Sequence, residues 1–315
     1  MSVVEGKDVR YQTFVNVFLD VSLGDGFCIG GDVNHRFPSI ATPARARIFE
    51  FLPFLSVGAL SGILAQVKVS DSPKFDKSFH YRSIIGKLNY LEKASRPDIA
   101  YITHQCARFV EDPRKEHGEA VRWLARYLKG SRDKGVILKP KAGKQLEVHV
   151  DADFAGNWDA KEWRDPDTAR SRHGYIISYA GCPLLWKSQL QTEHALSSTE
   201  SEYTGLSYAL RDAIPIMELM KEMIGLGYPI ESSNSKVYCK VFEDNSGALE
   251  IAKNPKFRPR TKHLNNKLHH FRHYVDALKE ITIHKIATED QNGDYLTKPL
   301  NEVLHTKHQK SVQGW

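Results

Sequence analysis

Apolar residues recur every three or four positions in three consecutive segments between Tyr81 and Gly130. This spacing is typical of helices that bury one face against neighbouring elements. Pro97 and Pro113 stand where the second and third helices would begin, and proline is well tolerated in the first turn of a helix. The pattern therefore predicts three short helices joined by tight connections.

A different pattern begins at Gln145, where Leu146, Val148 and Val150 alternate with polar residues. Such alternation indicates a half-buried strand. The segment GYIISYAGCPLLWKS predicts a hairpin with its turn at Gly181–Cys182–Pro183, and the segments KVYCKVFEDN and ITIHKIAT predict two more strands. A long helix is predicted after the capping-box sequence SSTE, with shorter helices at SGALEIAKN, at TKHLNNKLHHFRHYVDALKE and at GDYLTKPL. This order of elements is typical of an α/β domain.

Composition places the chain among ordinary globular proteins. It has 315 residues, of which 41% are hydrophobic and 26% charged, and its formal net charge is +6. A mildly basic balance is compatible with a nucleic-acid partner. The four cysteines form no CxxC pair, so neither a zinc site nor a disulfide framework is expected. No apolar run approaches the roughly 18 residues of a membrane span, and no secretory signal or membrane partner is expected.

Carboxylates at the ends of the predicted elements are the candidate chemistry of the α/β part. Asp151 closes the first strand, Asp244 closes the strand in KVYCKVFEDN, Asp294 opens the C-terminal segment, and the long helix offers either Glu200 or Glu202. Taken singly, an acid in such a place is usually a cap or a solvated residue. As a set, the acids suit phosphodiester hydrolysis, because two divalent ions about 4 Å apart activate a water and stabilise the leaving oxygen. Mg²⁺ prefers oxygen ligands, so Mg²⁺ is the expected ion and Mn²⁺ the expected substitute.

Helix geometry selects between the two glutamates. At 100° per residue, Glu202 lies within about 40° of the apolar residues Leu206 and Ala209, whereas Glu200 lies roughly 160° away from Glu202. Glu200 has an ordinary role as the capping-box acid behind Ser197. A carboxylate aimed at the sheet is costly unless a cation meets it. We therefore expect Glu202 to belong to the acidic set.

At these residues the sequence resembles the ribonuclease H domain of copia-type LTR retrotransposon polyproteins. The similar stretches are VDADFAG, SRHGYIISYAGCPLLWKSQLQTEHALSSTESEY, DNSGAL, NPKFRPRTKHL and DYLTKPL. The stretches YRSIIGKLNYLEKASRPDIAY and ARFVEDPRKEHGEAVRWLARYLKG resemble the end of the reverse transcriptase and its connection in the same family. The resemblance covers about residues 76–300, so the chain looks like a C-terminal fragment of such a Pol polyprotein.

The resemblance implies a ribonuclease H-like α/β fold, a mixed five-stranded sheet flanked by helices, over residues 143–302. A small helical connection-like region would occupy 76–142, residues 1–75 receive no assignment, and 303–315 would form a tail. The family's metal-binding and catalytic acids correspond to Asp151, Glu202, Asp244 and Asp294. The implied activity is two-metal-ion hydrolysis of the RNA strand of RNA–DNA hybrids. The Tyr-x-Asp-Asp motif of the polymerase is absent from residues 1–80, so polymerase activity is not expected.

A basic segment from Lys253 to His273 is the candidate surface for the hybrid, because it holds seven lysines and arginines and no acid. A solvated basic helix is the ordinary interpretation of such a run, but Phe257 and Pro259 interrupt it and Thr261 can cap a helix. This favours an ordered loop that contacts phosphates, which supply most sequence-independent affinity. The residues expected to bind phosphate are Lys253, Lys256, Arg258, Arg260, Lys262 and His263. Ser198, Thr199 and Asn245 lie beside the acids and are candidates for contacts with RNA 2′-hydroxyls.

Two other functions are compatible with the sequence. One is a non-catalytic nucleic-acid-binding remnant of a retrotransposon polyprotein, because a ribonuclease H domain can depend on its upstream reverse transcriptase region as a partner. The other is an integrase-like nuclease of the same fold, against which the TKHL and DYLTKPL stretches argue. No residue is assigned as general acid. The resemblance implies the cytoplasmic virus-like particle as the location, with the nucleus as the alternative.

Overall fold

Three helices make up the first part of the chain that the structure shows. The computed structural model describes residues 73–158, 160, 166–230, 236–253 and 270–314. Helix α1 spans Tyr81–Ala94, α2 spans Ala100–Ala107 after a 3₁₀ turn at Pro97–Ile99, and α3 spans Lys115–Gly130. They bury one apolar cluster among themselves, which includes Phe75, Leu88, Ile102 and Leu124. The predicted three helices are confirmed, and nearly all of residues 1–75 lie outside the described ranges.

A mixed five-stranded sheet follows, in the order β3-β2-β1-β4-β5. The strands are β1 (Leu146–Asp153), β2 (Arg172–Tyr179), β3 (Cys182–Leu190), β4 (Cys239–Glu243) and β5 (Ile281–Lys285). Strands β1, β2 and β3 are antiparallel neighbours, whereas β4 and β5 run parallel to β1. The predicted mixed sheet of five strands is confirmed. The hairpin turn lies one residue earlier than expected, at Ala180–Gly181, because these two residues adopt the positive φ angles of 53° and 75° that a tight two-residue turn needs.

Helices cover both faces of the sheet. Helix α4 (Ser198–Gly225) packs on one face, where it buries apolar residues against Val148 and Val150 of β1. Helix α5 (Ser246–Lys253) joins the same core. The short helix α6 (Asp294–Thr297) and helix α7 (Glu302–Gln313) pack on the opposite face, together with α2. No helix in the described parts of the chain is long and apolar enough to cross a membrane.

Two segments differ from the sequence-based expectations. Residues 303–315, expected as a tail, lie largely in α7, whose Gln309 and Gln313 are buried and donate hydrogen bonds to Asp98 of the helical region. Of the basic helix predicted over residues 261–280, residues 261–269 lie outside the described ranges. Its visible end, His273–Ala277, is a π-helical turn.

The backbone of β1 and the start of α6 approach each other closely at Gly293. A Cβ atom at Gly293 would lie 2.7 Å from the backbone nitrogen of Asp151 and 2.9 Å from the carbonyl carbon of Val150. Only glycine therefore lets α6 reach this position over the strand.

We expect Gly293→Ala to lower the free energy of unfolding by about 1–3 kcal/mol, because overpacking against backbone cannot be relieved by a side-chain movement. The matched control is Gly86→Ala on the exposed side of α1, where an added Cβ meets nothing within 4 Å. That change should stabilise the chain by roughly 0.5–1 kcal/mol through helix propensity. Urea denaturation of both variants measures the difference, and an equal effect of the two would contradict the close approach.

Candidate metal centre

Three acidic side chains converge at one edge of the sheet. Asp151 lies in β1, Asp244 directly follows β4, and Glu202 is in the second turn of α4. One carboxylate oxygen from each residue lies within 4.8 Å of those of the other two. Parallel pairing of β1 with β4 brings the same ends of the two strands together, and the start of α4 delivers Glu202 to that edge. Strand β1 continues to Asp153, so Asp151 stands inside the strand rather than closing it.

Asp294, the fourth predicted acid, lies beside these three. It is the first residue of α6 and is buried. Burial, followed by the neighbouring charge of Asp151, raises the pKa of Asp294 to about 8. The Nζ atom of Lys298 lies 2.8 Å from Oδ1 of Asp294 and 3.6 Å from Oδ1 of Asp151. The structure therefore brings all four predicted acids into one acidic centre.

The surroundings of Glu202 suit a divalent cation. Its side chain is buried, and its Oε2 atom has no hydrogen-bond partner in the described parts of the chain. Burial raises the pKa of Glu202 well above its usual range, and the charges of Asp151, Glu243 and Asp244 raise it further. An unsatisfied buried carboxylate oxygen close to two other carboxylates is stabilised when a hard cation binds among them. The donor set, made only of carboxylate oxygens, fits Mg²⁺ or Mn²⁺.

Glu200 has the capping role that helix geometry assigned to it. Its backbone N–H donates to Oγ of Ser197 over 3.2 Å, and its Oε2 accepts from the backbone N–H of Leu196 over 2.9 Å. The first contact makes Ser197 the N-cap of α4, and the second satisfies the N–H of the residue before the cap, one position earlier than in a capping box. Glu200 is therefore engaged at the helix terminus, whereas Glu202 faces the other acids.

A fifth carboxylate, Glu243, was missed by the sequence analysis. It is fully buried at the end of β4, where its Oε1 accepts from the backbone N–H of Asn245. Burial, with the charges of Asp244 and Asp151, raises its pKa to about 8. The alternation Cys239–Val241–Glu243 puts these three residues on the core side of the strand, and a charge at such a position is the signal that could have identified Glu243.

Thr297 and Lys298 were also missed, although both contact the carboxylate of Asp151. The hydroxyl of Thr297 donates to Oδ2 of Asp151, and the ammonium of Lys298 lies near Oδ1. Both residues belong to the DYLTKPL stretch, in which Lys298 follows Asp294 by four positions. That spacing puts two side chains on the same side of a helical turn and could have suggested the pairing.

Because Thr297 fixes the orientation of Asp151, we expect Thr297→Val to weaken binding of Mn²⁺ by about 10- to 100-fold, the usual effect of removing a group that orients a metal ligand. Thr297→Ser keeps the hydroxyl and should bind Mn²⁺ within a few-fold of the unmodified chain. Isothermal titration calorimetry measures both affinities. Unchanged binding by the valine variant would show that the hydroxyl does not position Asp151.

The predicted nucleic-acid contacts are only partly within the described residues. Lys253 is exposed at the end of α5 and Ser198 is exposed at the start of α4. Thr199 packs beside Gly247, and the side-chain oxygen of Asn245 accepts from the backbone N–H groups of Gly247 and Ala248, which makes Asn245 the N-cap of α5. The other predicted phosphate contacts lie outside the described ranges, and these are Lys256, Arg258, Arg260, Lys262 and His263.

Comparison with known proteins decides the family. No protein-family model matches the chain. It is 33% identical over 218 residues to the retrovirus-related Pol polyprotein from transposon TNT 1-94 of Nicotiana tabacum, an alignment that covers 69% of this chain and 15% of that protein. It is 35% identical over 222 residues to the corresponding polyprotein from transposon RE1 of Arabidopsis thaliana, covering 70% and 14%. The chain belongs to the Pol polyproteins of copia-type retrotransposons.

The chain spans about 15% of the length of the curated relatives that it matches. Among solved structures it is similar to LC11-RNase H1 isolated from compost, with 14% identity and a TM-score of 0.35 over 49% of this chain and 93% of that one. The strand order and strand directions, rather than this low score, identify the fold. The chain carries a retroelement ribonuclease H-type domain, in which Asp151, Glu202 and Asp244 converge at one edge of the sheet and Asp294 lies beside Asp151.

Proposed function

We propose that the chain is a ribonuclease H-type endonuclease that hydrolyses the RNA strand of RNA–DNA hybrids with two divalent ions, Mg²⁺ or its substitute Mn²⁺. The observation that carries the proposal is the convergence of Asp151, Glu202 and Asp244 within 4.8 Å. Membership of the retrotransposon Pol family supports a nucleic-acid substrate. The mixed five-stranded sheet with helices on both faces supports a domain of the ribonuclease H type.

Bound divalent ions supply an activated water and neutralise charge on the leaving oxygen. The chain's own residues hold and orient the ligands for them. Asp151, Glu202, Asp244 and Asp294 would hold the ions, because Asp151 lies within 4.8 Å of Glu202 and Asp244 and its charge also acts on the neighbouring Asp294. Burial of Glu202 and Asp294 keeps bulk water from their carboxylates, which strengthens their interaction with a cation.

The basic segment from Lys253 to His273 would hold the phosphates of the hybrid. Its charge comes from seven lysines and arginines, and a protein that neutralises phosphates releases counterions, so that affinity falls with salt. The segment begins at the end of α5, the helix that follows Asp244 in the chain. In this proposal the basic segment binds the hybrid, and the acidic centre hydrolyses the phosphodiester bond.

We expect the triple variant Arg258→Gln, Arg260→Gln, Lys262→Gln to bind the hybrid more weakly and with a flatter salt dependence, by roughly one unit of slope per lost phosphate contact. Fluorescence anisotropy at several salt concentrations measures this slope. A control variant with Lys129, Arg132 and Lys134 changed to Gln removes the same charge outside this segment. A slope that is unchanged in the first variant would show that these residues contact no phosphate.

A cleavage assay with three substrates tests the proposed activity. In Mg²⁺ the chain should cut an RNA–DNA hybrid, with products only from the labelled RNA strand, and should leave duplex DNA and duplex RNA intact. Cleavage of duplex DNA instead would favour an integrase-like nuclease. Tight binding of the hybrid without cleavage would favour a non-catalytic nucleic-acid-binding remnant.

A further inference from the structure

Lys298 brings a positive charge into the acidic centre from the residue that follows α6. Its Nζ atom lies 2.8 Å from Asp294 and 3.6 Å from Asp151, so one ammonium group bridges two predicted metal ligands. The side chain is 32% exposed. Part of the lysine side chain therefore already contacts solvent.

This lysine makes two parts of the acidic centre chemically unequal, because its ammonium lies within 4 Å of Asp151 and Asp294, whereas its charge acts on Glu202 and Asp244 from a greater distance. On one side Asp151 forms a close group with Glu202 and Asp244. On the other side Asp151 and Asp294 share the ammonium of Lys298. A divalent ion on the first side meets carboxylates at short range, whereas an ion on the second side meets a positive charge that already neutralises part of the pair.

We propose that Lys298 makes loading of the two ions sequential, so that the Asp151–Glu202–Asp244 side fills first and a second ion binds only by displacing the ammonium from Asp151 and Asp294. This inference rests on the proposed function, since it assumes that the acids bind divalent ions. Like charges a few ångströms apart repel strongly in a partly buried site. The flexible four-carbon stem of lysine allows the displacement.

Counting bound Mn²⁺ on the full chain without nucleic acid tests the proposal, because the electron paramagnetic resonance signal of free Mn²⁺ gives the bound number directly. The unmodified chain should bind one ion tightly. It should bind a second ion with an affinity at least about tenfold lower, because that ion must displace the bridging ammonium. In Lys298→Met the second ion should bind at least about tenfold more tightly than in the unmodified chain, because no ammonium has to be displaced. Lys298→Arg keeps the charge and should keep the two affinities unequal.

The matched control is Lys221→Met, because Lys221 also bridges two carboxylates, Glu218 at 2.9 Å and Glu280 at 2.7 Å, but does so at the far end of α4. It should leave both Mn²⁺ affinities unchanged. Two ions of equal affinity in the unmodified chain, or no gain for the second ion in Lys298→Met, would overturn the proposal. Asp151→Asn separates this failure from a failure of the proposed function: if that variant binds Mn²⁺ as the unmodified chain does, the acidic centre is not a metal site at all.

Discussion

Glu202→Gln is expected to abolish Mg²⁺-dependent cleavage of RNA–DNA hybrids while leaving the fold intact. Glutamine keeps the size and hydrogen-bonding capacity of the side chain but removes the charge that would hold an ion. Because Glu202 lies among Asp151, Asp244 and Glu243, its loss also relieves repulsion between like charges. The melting temperature in the presence of a chelator should therefore rise. Hybrid cleavage and melting temperature, measured on the same samples, check both effects.

The pH dependence of that stabilisation has a definite sign. The pKa of Glu202 is raised in the folded chain by burial and by neighbouring acids, so its contribution to stability is present at low pH and is lost as the pH rises through the folded pKa. Glutamine is neutral throughout and suffers no such loss. The gain in melting temperature from Glu202→Gln should therefore grow as the pH increases.

Glu200→Gln is the matched control on the same helix. It alters the capping contact with Leu196 and should cost a fraction of a kcal/mol to about 1 kcal/mol of stability. Cleavage should be largely retained. If Glu200→Gln eliminates cleavage and Glu202→Gln does not, the acidic centre described here is not the catalytic one.

Asp98→Asn is expected to destabilise the chain by about 3–5 kcal/mol, the usual effect of removing one partner from a buried ion pair. The carboxylate of Asp98 accepts from Nε and Nη2 of Arg96 at 2.9 and 2.6 Å, and from the hydroxyl of Tyr127 at 2.6 Å. Both charged side chains are at most 2% exposed. Asparagine would leave the guanidinium buried without a counter-charge, and urea denaturation measures the loss.

The exposed pair of Arg82 with Glu111 provides the control for this prediction. Its side chains are 62% and 86% exposed, and exposed pairs of this kind contribute about 0–1 kcal/mol. Glu111→Gln should therefore change the unfolding midpoint very little. If Asp98→Asn and Glu111→Gln have equally small effects, the buried network does not hold α7 against the helical region.

Much of the fold could be predicted because its elements follow simple periodicities. The three- and four-residue spacing from Tyr81 onward gave α1 to α3, and the alternation of Leu146, Val148 and Val150 gave β1. Helix α7 does not follow such a pattern. Its buried side carries Gln309 and Gln313, which donate hydrogen bonds to Asp98, more than 200 residues earlier in the chain. Because these buried residues are polar, the spacing of apolar residues does not predict the helix.

The acidic centre was predictable for a different reason. Asp151, Glu202, Asp244 and Asp294 lie at or near element ends, where parallel strands and helix termini meet, and the family resemblance selected the same residues. Lys298 and Glu243 could not be placed with equal ease. Which acids a lysine contacts depends on how closely the backbone segments pack. Here Gly293 lets the segment that carries Lys298 pack closely against the backbone at Asp151. Glu243 was overshadowed by the adjacent Asp244, although strand alternation marks it as an inward-facing charge.

Anomalous diffraction from crystals of the full chain grown with Mn²⁺ tests the central claim most directly, because it locates the ions independently of activity. We expect at least one anomalous peak within bonding distance of carboxylate oxygens of Asp151, Glu202 and Asp244. At high Mn²⁺ concentration a second peak should appear between Asp151 and Asp294. Mn²⁺ bound elsewhere on the chain, with no peak among these four acids, would show that the acidic centre is not a metal site.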